Sequence, residues 1–259
     1  MISRKRSSDC IGESETDVKK TKESTELADP LNNGTEKSAN DKPELYHTIS
    51  GHGCLKGERL EMEDTFISKP KFELQTETQF LKRCSFFAIF DGHAGVRAAD
   101  YCEKNMDKCM KEHASKYNDF KSLCSNMKTI YLNTYKQVND DFTNIAKQTT
   151  PIWKDGTTAT TMIIVNNIVY VANVGDTQVV VARKCKDDSK YKPFCLTTEH
   201  NPKLHSERMR IQTTGATVKD GRVNGVIEVS RSIGDISFKK FGVISTPDLK
   251  RLTITEDDE

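Results

Sequence analysis

Residues 86–90, Phe-Phe-Ala-Ile-Phe, form an unbroken apolar run that gives way at once to Asp91-Gly92-His93-Ala94-Gly95, where a helical pattern begins. A run this short and this apolar reads as a strand buried on both faces. Such a strand needs a covered sheet around it, which commits the chain to a layered fold. The break places a carboxylate, a flexible backbone carbonyl and an imidazole together at the end of a core strand. Gly92 permits close backbone approach to a ligand or an unusual turn, and a rigid strand end holds reactive groups still. Taken alone, the same residues are an ordinary turn and helix cap, so their meaning depends on the rest of the chain.

With 259 residues the chain has room for one large or two small domains and a substantial core. Lys and Arg number 39 against 38 Asp and Glu, which gives no electrostatic case for nucleic acid or an anionic membrane. No apolar run approaches the ~18 residues of a membrane span, and Met1 to Cys10 lack the apolar core of a secretory signal. The eight cysteines contain no C-x-x-C pair. They suggest neither a zinc site nor a disulfide scaffold, but reduced thiols in a cytoplasmic or nuclear protein.

Residues 1–44 are Ser, Thr, Lys, Glu, Asp and Asn with little to bury, and are expected to be a disordered polar tail ahead of a domain over 45–259. Thr48 to Lys56 and Phe66 to Ser68 read as short strands. Between them, alternation would put Arg59, Glu61 and Glu63 on one face of an extended segment, a phosphate-gripping cation beside carboxylates. Ala99, Cys102, Met106, Cys109 and His113 mark an amphipathic helix ending near Ala114. Phe120, Leu123, Met127, Ile130, Thr134, Val138, Phe142 and Ile145 mark a second helix to Lys147. Two such helices with a short connection should pack antiparallel over a sheet.

Thr157 to Val165 and Ile168 to Val174 read as a hairpin about Asn166-Asn167, since Asn tolerates the positive φ of tight turns. Val179 to Ala182 and Phe194 to Leu196 follow as strands. Pro202 to about Thr214 reads as a helix closed by Gly215, with small strands beyond it about Asp220-Gly221. An irregular stretch then reaches Pro247.

Acids therefore gather at three turn or strand-end positions: Glu63 with Asp64, Asp91, and Asp176. Hard divalent cations, Mg²⁺ or Mn²⁺, favour such oxygen ligands. Two of them would activate a water and neutralise a phosphate, with Arg59 as the clamp and His93 as the proton donor to the leaving oxygen. Acids at turns are also commonplace, so the residues alone leave a phosphomonoesterase as one reading among others.

The motifs R-L-E-M-E-D (59–64), F-D-G-H-A-G (90–95), D-G-T-T-A (155–159), V-A-N-V-G-D-T (171–177) and D-G-R-V-N-G…V-S-R-S-I-G-D (220–235) occur in one order. Through them the sequence resembles the metal-dependent protein serine/threonine phosphatases of the 2C type. The resemblance implies an α+β fold, a four-layer α-β-β-α sandwich of two antiparallel sheets flanked by helix pairs. It implies that Asp91 bridges two Mg²⁺ or Mn²⁺ ions, that Gly92 offers its carbonyl, that Glu63 is a ligand and that Asp64 orders water nearby. Asp176 matches an acid that helps hold a weaker third ion; Arg59 is implied as the phosphate-binding residue and His93 as the general acid. Arg222 and Arg231 lie in matching motifs without an implied role. Substrates would be phosphoserine and phosphothreonine proteins, with a kinase-signalling partner and no nucleic acid or membrane.

In that family a later Asp-Gly strand end and an Asp-Asn turn each add a metal-binding aspartate. Neither occurs here, so the domain is expected to be C-terminally incomplete and the chain's own hydrolysis impaired. Two other readings stand beside this one. A catalytically silent, phosphatase-like binding module would show degraded ligands, whereas Arg59, Glu63, Asp64, Asp91 and His93 are intact. A Mg²⁺-dependent hydrolase of nucleotides ranks last, because no G-x-x-x-x-G-K-[ST] loop is present.

Overall fold

A computed structural model describes residues 48–74, 81–185 and 190–258; the expected tail over 1–44 lies outside them. The first elements are β1 (Asp64–Lys69), β2 (Cys84–His93), α1 (Arg97–Ala114) and α2 (Phe120–Lys147). Then come β3 (Gly156–Thr157), β4 (Ala159–Val165), β5 (Ile168–Val174), β6 (Val180–Lys184) and β7 (Tyr191–Cys195). The remainder is α3 (His205–Thr213), β8 (Val218–Lys219), β9 (Arg222–Val223), β10 (Ile233–Gly234), α4 (Ile236–Lys239) and β11 (Asp248–Thr253).

Strand β2 is the axis of a seven-stranded antiparallel sheet. On one side it pairs with β1, Asp64 opposite Asp91 and Lys69 opposite Phe86. On the other it pairs with β4, which returns through β5 to β11. Where β4 stops, β3 takes over against Gly92 and His93, and β10 lies beyond β3. Asn166 turns the β4–β5 hairpin with φ 53°, as the Asn-Asn pair implies.

The apolar run in β2 is not buried on both faces. Phe86, Ala88 and Phe90 are sealed beneath the helices, but Ile89 on the opposite face is 50% exposed. Phe87 on that face is half-buried and only Ser85, at its start, is sealed, so a strand that reads as a continuous core segment is covered in part on its second face. Helices α1 and α2 pack on the covered face through Ala99, Cys102, Met106, Leu123, Met127 and Ile130. Asp119 caps α2 by accepting the Ser122 N–H at 2.9 Å. The expected stripe of α2 holds except at its last position: Ile145 faces solvent and Ala146 is buried in its place.

Two phenols bolt α2 to the sheet. Tyr131 donates to Tyr170 O at 3.1 Å, and the Tyr135 hydroxyl lies 3.1 Å from Ala159 O and 3.0 Å from Ala172 O. On the other face, β6 and β7 form a ribbon, from which Val181 joins Ile164, Val169, Val171 and Leu196 in a second cluster. Beside it a groove of about 500 Å³ runs over Phe66, Ile89, Met162 and Val179 to Asp64. A third cluster, Ile211, Ala216, Val223, Ile227, Val229 and Val243, gives α3 and the β8–β9 ribbon a small core of their own.

Three expectations need correction. Residues 48–56 form no strand; they are exposed and unpaired in the ladder, with glycines at 51, 53 and 57 that contribute nothing to bury. Helix α3 begins at His205 rather than Pro202. The stretch to Pro247 is irregular as expected, but β11 after it was not foreseen.

Candidate active site at the end of the central strand

The register of β1 on β2 brings the first acids together. Asp64 stands opposite Asp91, and one residue earlier Glu63 folds back over the strand end. Gly92 N–H donates to Glu63 O at 3.2 Å, and Gly95 N–H donates to Glu63 Oε1 at 2.7 Å. This turn requires glycine at 92, since a Cβ there would lie 2.3 Å from Glu63 O. The Asp91 N–H is held in turn by Thr158 Oγ1 at 3.0 Å.

Burial, then the negative charges of Asp64 and Asp176, push the Asp91 carboxyl up to about 6. The β5–β6 turn therefore brings Asp176 within electrostatic range of Asp91. An acid so crowded by like charge gains from a shared cation. Among the described residues no three His, Cys, Asp or Glu side chains already form a metal-binding group. The donors that converge are carboxylates, the chemistry that Mg²⁺ and Mn²⁺ prefer; on that ground the residues present fit a hard divalent ion.

His93 Nε2 lies 2.8 Å from Asp235 Oδ2, and Asp235 is 3% exposed. Burial alone would lower the His93 pKa. The Asp235 hydrogen bond and the charges of Asp235, Asp91 and Glu63 outweigh it and raise the value. Asp235 holds a left-handed conformation, φ 48° and ψ 46°, unusual for a residue with a side chain. Its N–H donates to Asp155 O at 3.0 Å. Gly156 leaves room for the pair: a Cβ there would come within 2.2 Å of Asp235 Oδ2 and 2.4 Å of His93 Nε2.

Asp155 fixes the entry to α1. Its oxygens accept from Arg97 Nε and Nη2, each at 2.7 Å, while the guanidinium rests 4.7 Å from the Trp153 ring. Neither Asp155 nor Asp235 was given a role by the sequence. Their motifs, D-G-T-T-A and S-I-G-D, were the available signal, but their partners lie too far along the chain to be read from spacing.

Arg59 is placed differently from the expectation. Residues 57–62 form exposed turns rather than an extended strand, and the Arg59 guanidinium makes no hydrogen bond or ion pair among the described residues. Glu61 is likewise exposed. The arginines without a role are structural. Arg222 pairs with Glu228 and donates to Val226 O at 2.8 Å. Arg231 and Arg210 both grip Glu207, which is 2% exposed, and Arg231 reaches Asp248 Oδ1 at 2.8 Å.

Comparison with known proteins shows which family the chain belongs to. The protein phosphatase 2C family profile matches residues 48–259. The integrin-linked kinase-associated serine/threonine phosphatase 2C of Homo sapiens is 40% identical over 205 residues, covering 78% of this chain and 52% of the relative. A probable protein phosphatase 2C 67 of Oryza sativa is 33% identical over 230 residues, covering 81% of this chain and 61% of the relative. The chain thus spans about half the length of the integrin-linked kinase-associated relatives. A serine-threonine phosphatase 2C from Toxoplasma gondii superposes with a TM-score of 0.58 at 14% identity, covering 75% of this chain and 74% of that one. A C. elegans sex determining protein gives 0.63 at 23% identity, over 79% of this chain and 48% of that one. At such identities these two structures speak for the fold alone. With a family profile matched from Thr48 onward and the acids of its motifs gathered at one strand end, this chain belongs to the protein phosphatase 2C family.

Proposed function

We propose that the chain carries the catalytic face of a protein serine/threonine phosphatase that uses Mg²⁺ or Mn²⁺. The observation behind this reading is the crowding of Asp91 by Asp64 and Asp176 at the end of a rigid strand. Asp91, Glu63, Asp64 and Asp176 would hold the ions, with the Gly92 carbonyl. When bound, such ions supply Lewis acidity toward a phosphate and activate water. His93 gives a proton to the leaving serine or threonine oxygen, and Asp235 keeps the imidazole turned toward that task. Arg59, on its exposed turn, would close on the phosphate only when one is present.

The finer architecture in this proposal is the four-layer α-β-β-α sandwich. The α1–α2 pair covers one sheet face, and the half-exposed Ile89 on the other marks where a second sheet would lie. Substrates would be phosphoserine and phosphothreonine proteins; a kinase-signalling partner is suggested by the name of the integrin-linked kinase-associated relatives. Cytoplasmic or nuclear residence belongs to the proposal too. A silent binding module is the second reading, and the intact acids at Glu63, Asp64 and Asp91 weigh against it. Among the described residues no helix is long and apolar enough to cross a membrane.

Calorimetric titration of Mn²⁺ into the chain and into D91N, followed by phosphate release from a phosphothreonine peptide, tests the proposal. Uptake should depend on Asp91, and any turnover should need the metal. Mn²⁺ binding that survives D91N, or release of phosphate without metal, would overturn it.

A further inference from the structure

We infer that His200 is a positioning residue for the Asp176 carboxylate, acting through the backbone of Gly175; the inference rests on the reading of Asp176 as a cation ligand. Gly175 follows β5 with φ 108°, and Asp176 comes next as an exposed side chain. An exposed aspartate on a glycine turn has no aim of its own. Here the turn is clamped from both sides.

The Gly175 N–H donates to His200 Nδ1 at 3.0 Å, and the His200 N–H donates back to Gly175 O at 2.9 Å. Asn173 Nδ2 adds a third bond to Gly175 O at 3.1 Å. Accepting a backbone N–H at Nδ1 fixes the tautomer: the ring proton sits on Nε2. That nitrogen faces Asp248 Oδ2 at 3.2 Å, without the alignment of a hydrogen bond. Burial, and then the charge of Arg231, keep the His200 pKa below its ordinary value, which suits a ring that has to stay neutral to accept.

The ring cannot swing away. It is 1% exposed, and Asp248 behind it is held by Arg231, which is held by Glu207. The turn cannot relax toward a bulkier residue either, because a Cβ on Gly175 would lie 2.4 Å from Thr158 Cγ2. His200 thus aims an acid 24 positions earlier in the sequence without touching it.

The experiment is a double-mutant cycle read by Mn²⁺ calorimetry on the full chain. D176N should weaken Mn²⁺ binding, and H200F, which keeps a ring and removes the acceptor, should weaken it about tenfold. In the D176N background H200F should then have no further effect, and H200N, whose amide oxygen restores an acceptor, should recover most of the loss. If D176N weakens binding but H200F adds to it fully, or lowers stability with Mn²⁺ affinity unchanged, the His200 inference is overturned while the reading of Asp176 stands. If D176N itself leaves Mn²⁺ binding unchanged, the reading of Asp176 fails and takes the inference with it. Should H200F not fold, NMR on the unaltered ¹⁵N-labelled chain decides: a scalar coupling between the Gly175 and His200 Nδ1 nitrogens is expected, and its absence overturns the inference.

Discussion

The Nε2 of His93 and the Oδ2 of Asp235 stand 2.8 Å apart although 142 positions of chain separate them. Two short strands make the meeting: β10 pairs with β3, and β3 pairs with the last two residues of β2. This patch adds little apolar burial, yet it decides which way the imidazole points.

That relationship predicts the proton affinity of His93. In metal-free protein D235N should lower its pKa, because burial then acts with less opposition. A folded-state value above the unfolded one gives stability that is fully present below pH ~6.5 and is lost as pH rises through the folded value. The unaltered chain should therefore lose stability more steeply across that window than D235N. NMR titration of the His93 ring and thermal melts at stepped pH check both statements; equal slopes would show that the pair does not form.

Asp91 predicts a dependence of the same sign at lower pH. Its carboxyl is raised to about 6, so the folded state binds the extra proton and stability falls as pH climbs from ~4 to 6. D91N should flatten that slope and raise the metal-free Tm by a few degrees at neutral pH. Mn²⁺ should then raise the Tm of the unaltered chain but not of D91N. A D91N chain with the lower metal-free Tm would contradict the crowding.

Glu207 predicts how the small core beneath α3 responds to acid. Burial would raise its pKa, but hydrogen bonds from Arg210, Arg231 and Ser230 hold it far below the usual carboxylate range. A depressed acid stabilises above its unfolded pKa and loses that contribution as pH falls toward the folded value. E207Q should unfold with a shallower dependence between pH 5 and 2, as followed by circular dichroism. It should also cost about 1–3 kcal/mol at neutral pH, since the half-buried Arg210 and Arg231 lose a charged acceptor while keeping their bonds to Gly242 O and Asp248.

Tyr135 offers a test of the helix layer. Y135F removes the hydroxyl that Ala159 O, Ala172 O and Thr161 Oγ1 share. A loss of about 1–2 kcal/mol in urea unfolding is expected with the m-value unchanged; a neutral result would mean that the carbonyls are satisfied by the sheet alone.

The sequence makes the layered frame legible where a single periodicity governs it. The stripes of α1 and α2, the Asn166 turn and the Asp-Gly-His break all depend on residues within one element. β11 does not: Leu249 and Leu252 are separated by Lys250 and Arg251, which breaks a period of two, and the strand exists because β5 offers it an edge. Asp91 and Asp64 are legible as acids near turns, and the resemblance paired them. Asp235, Asp155 and His200 are not, because each acts on a partner supplied by another part of the chain. Arg59 was misplaced for a related reason: alternation implies a strand only where a neighbour is there to pair with it, and residues 57–62 have none in the sheet.

The separate core beneath α3 carries a thermal consequence. Its six apolar residues bury far less than the cluster under α1 and α2, so hydrogen exchange should release the amides near Ile211 and Val223 while those of Phe86 and Ile163 remain protected. On gentle heating this lobe should loosen first, slackening the hold of Arg231 on Asp248 and of His200 on the Asp176 turn. The molecule would then lose the alignment of its acids at a temperature where its sheet still looks intact.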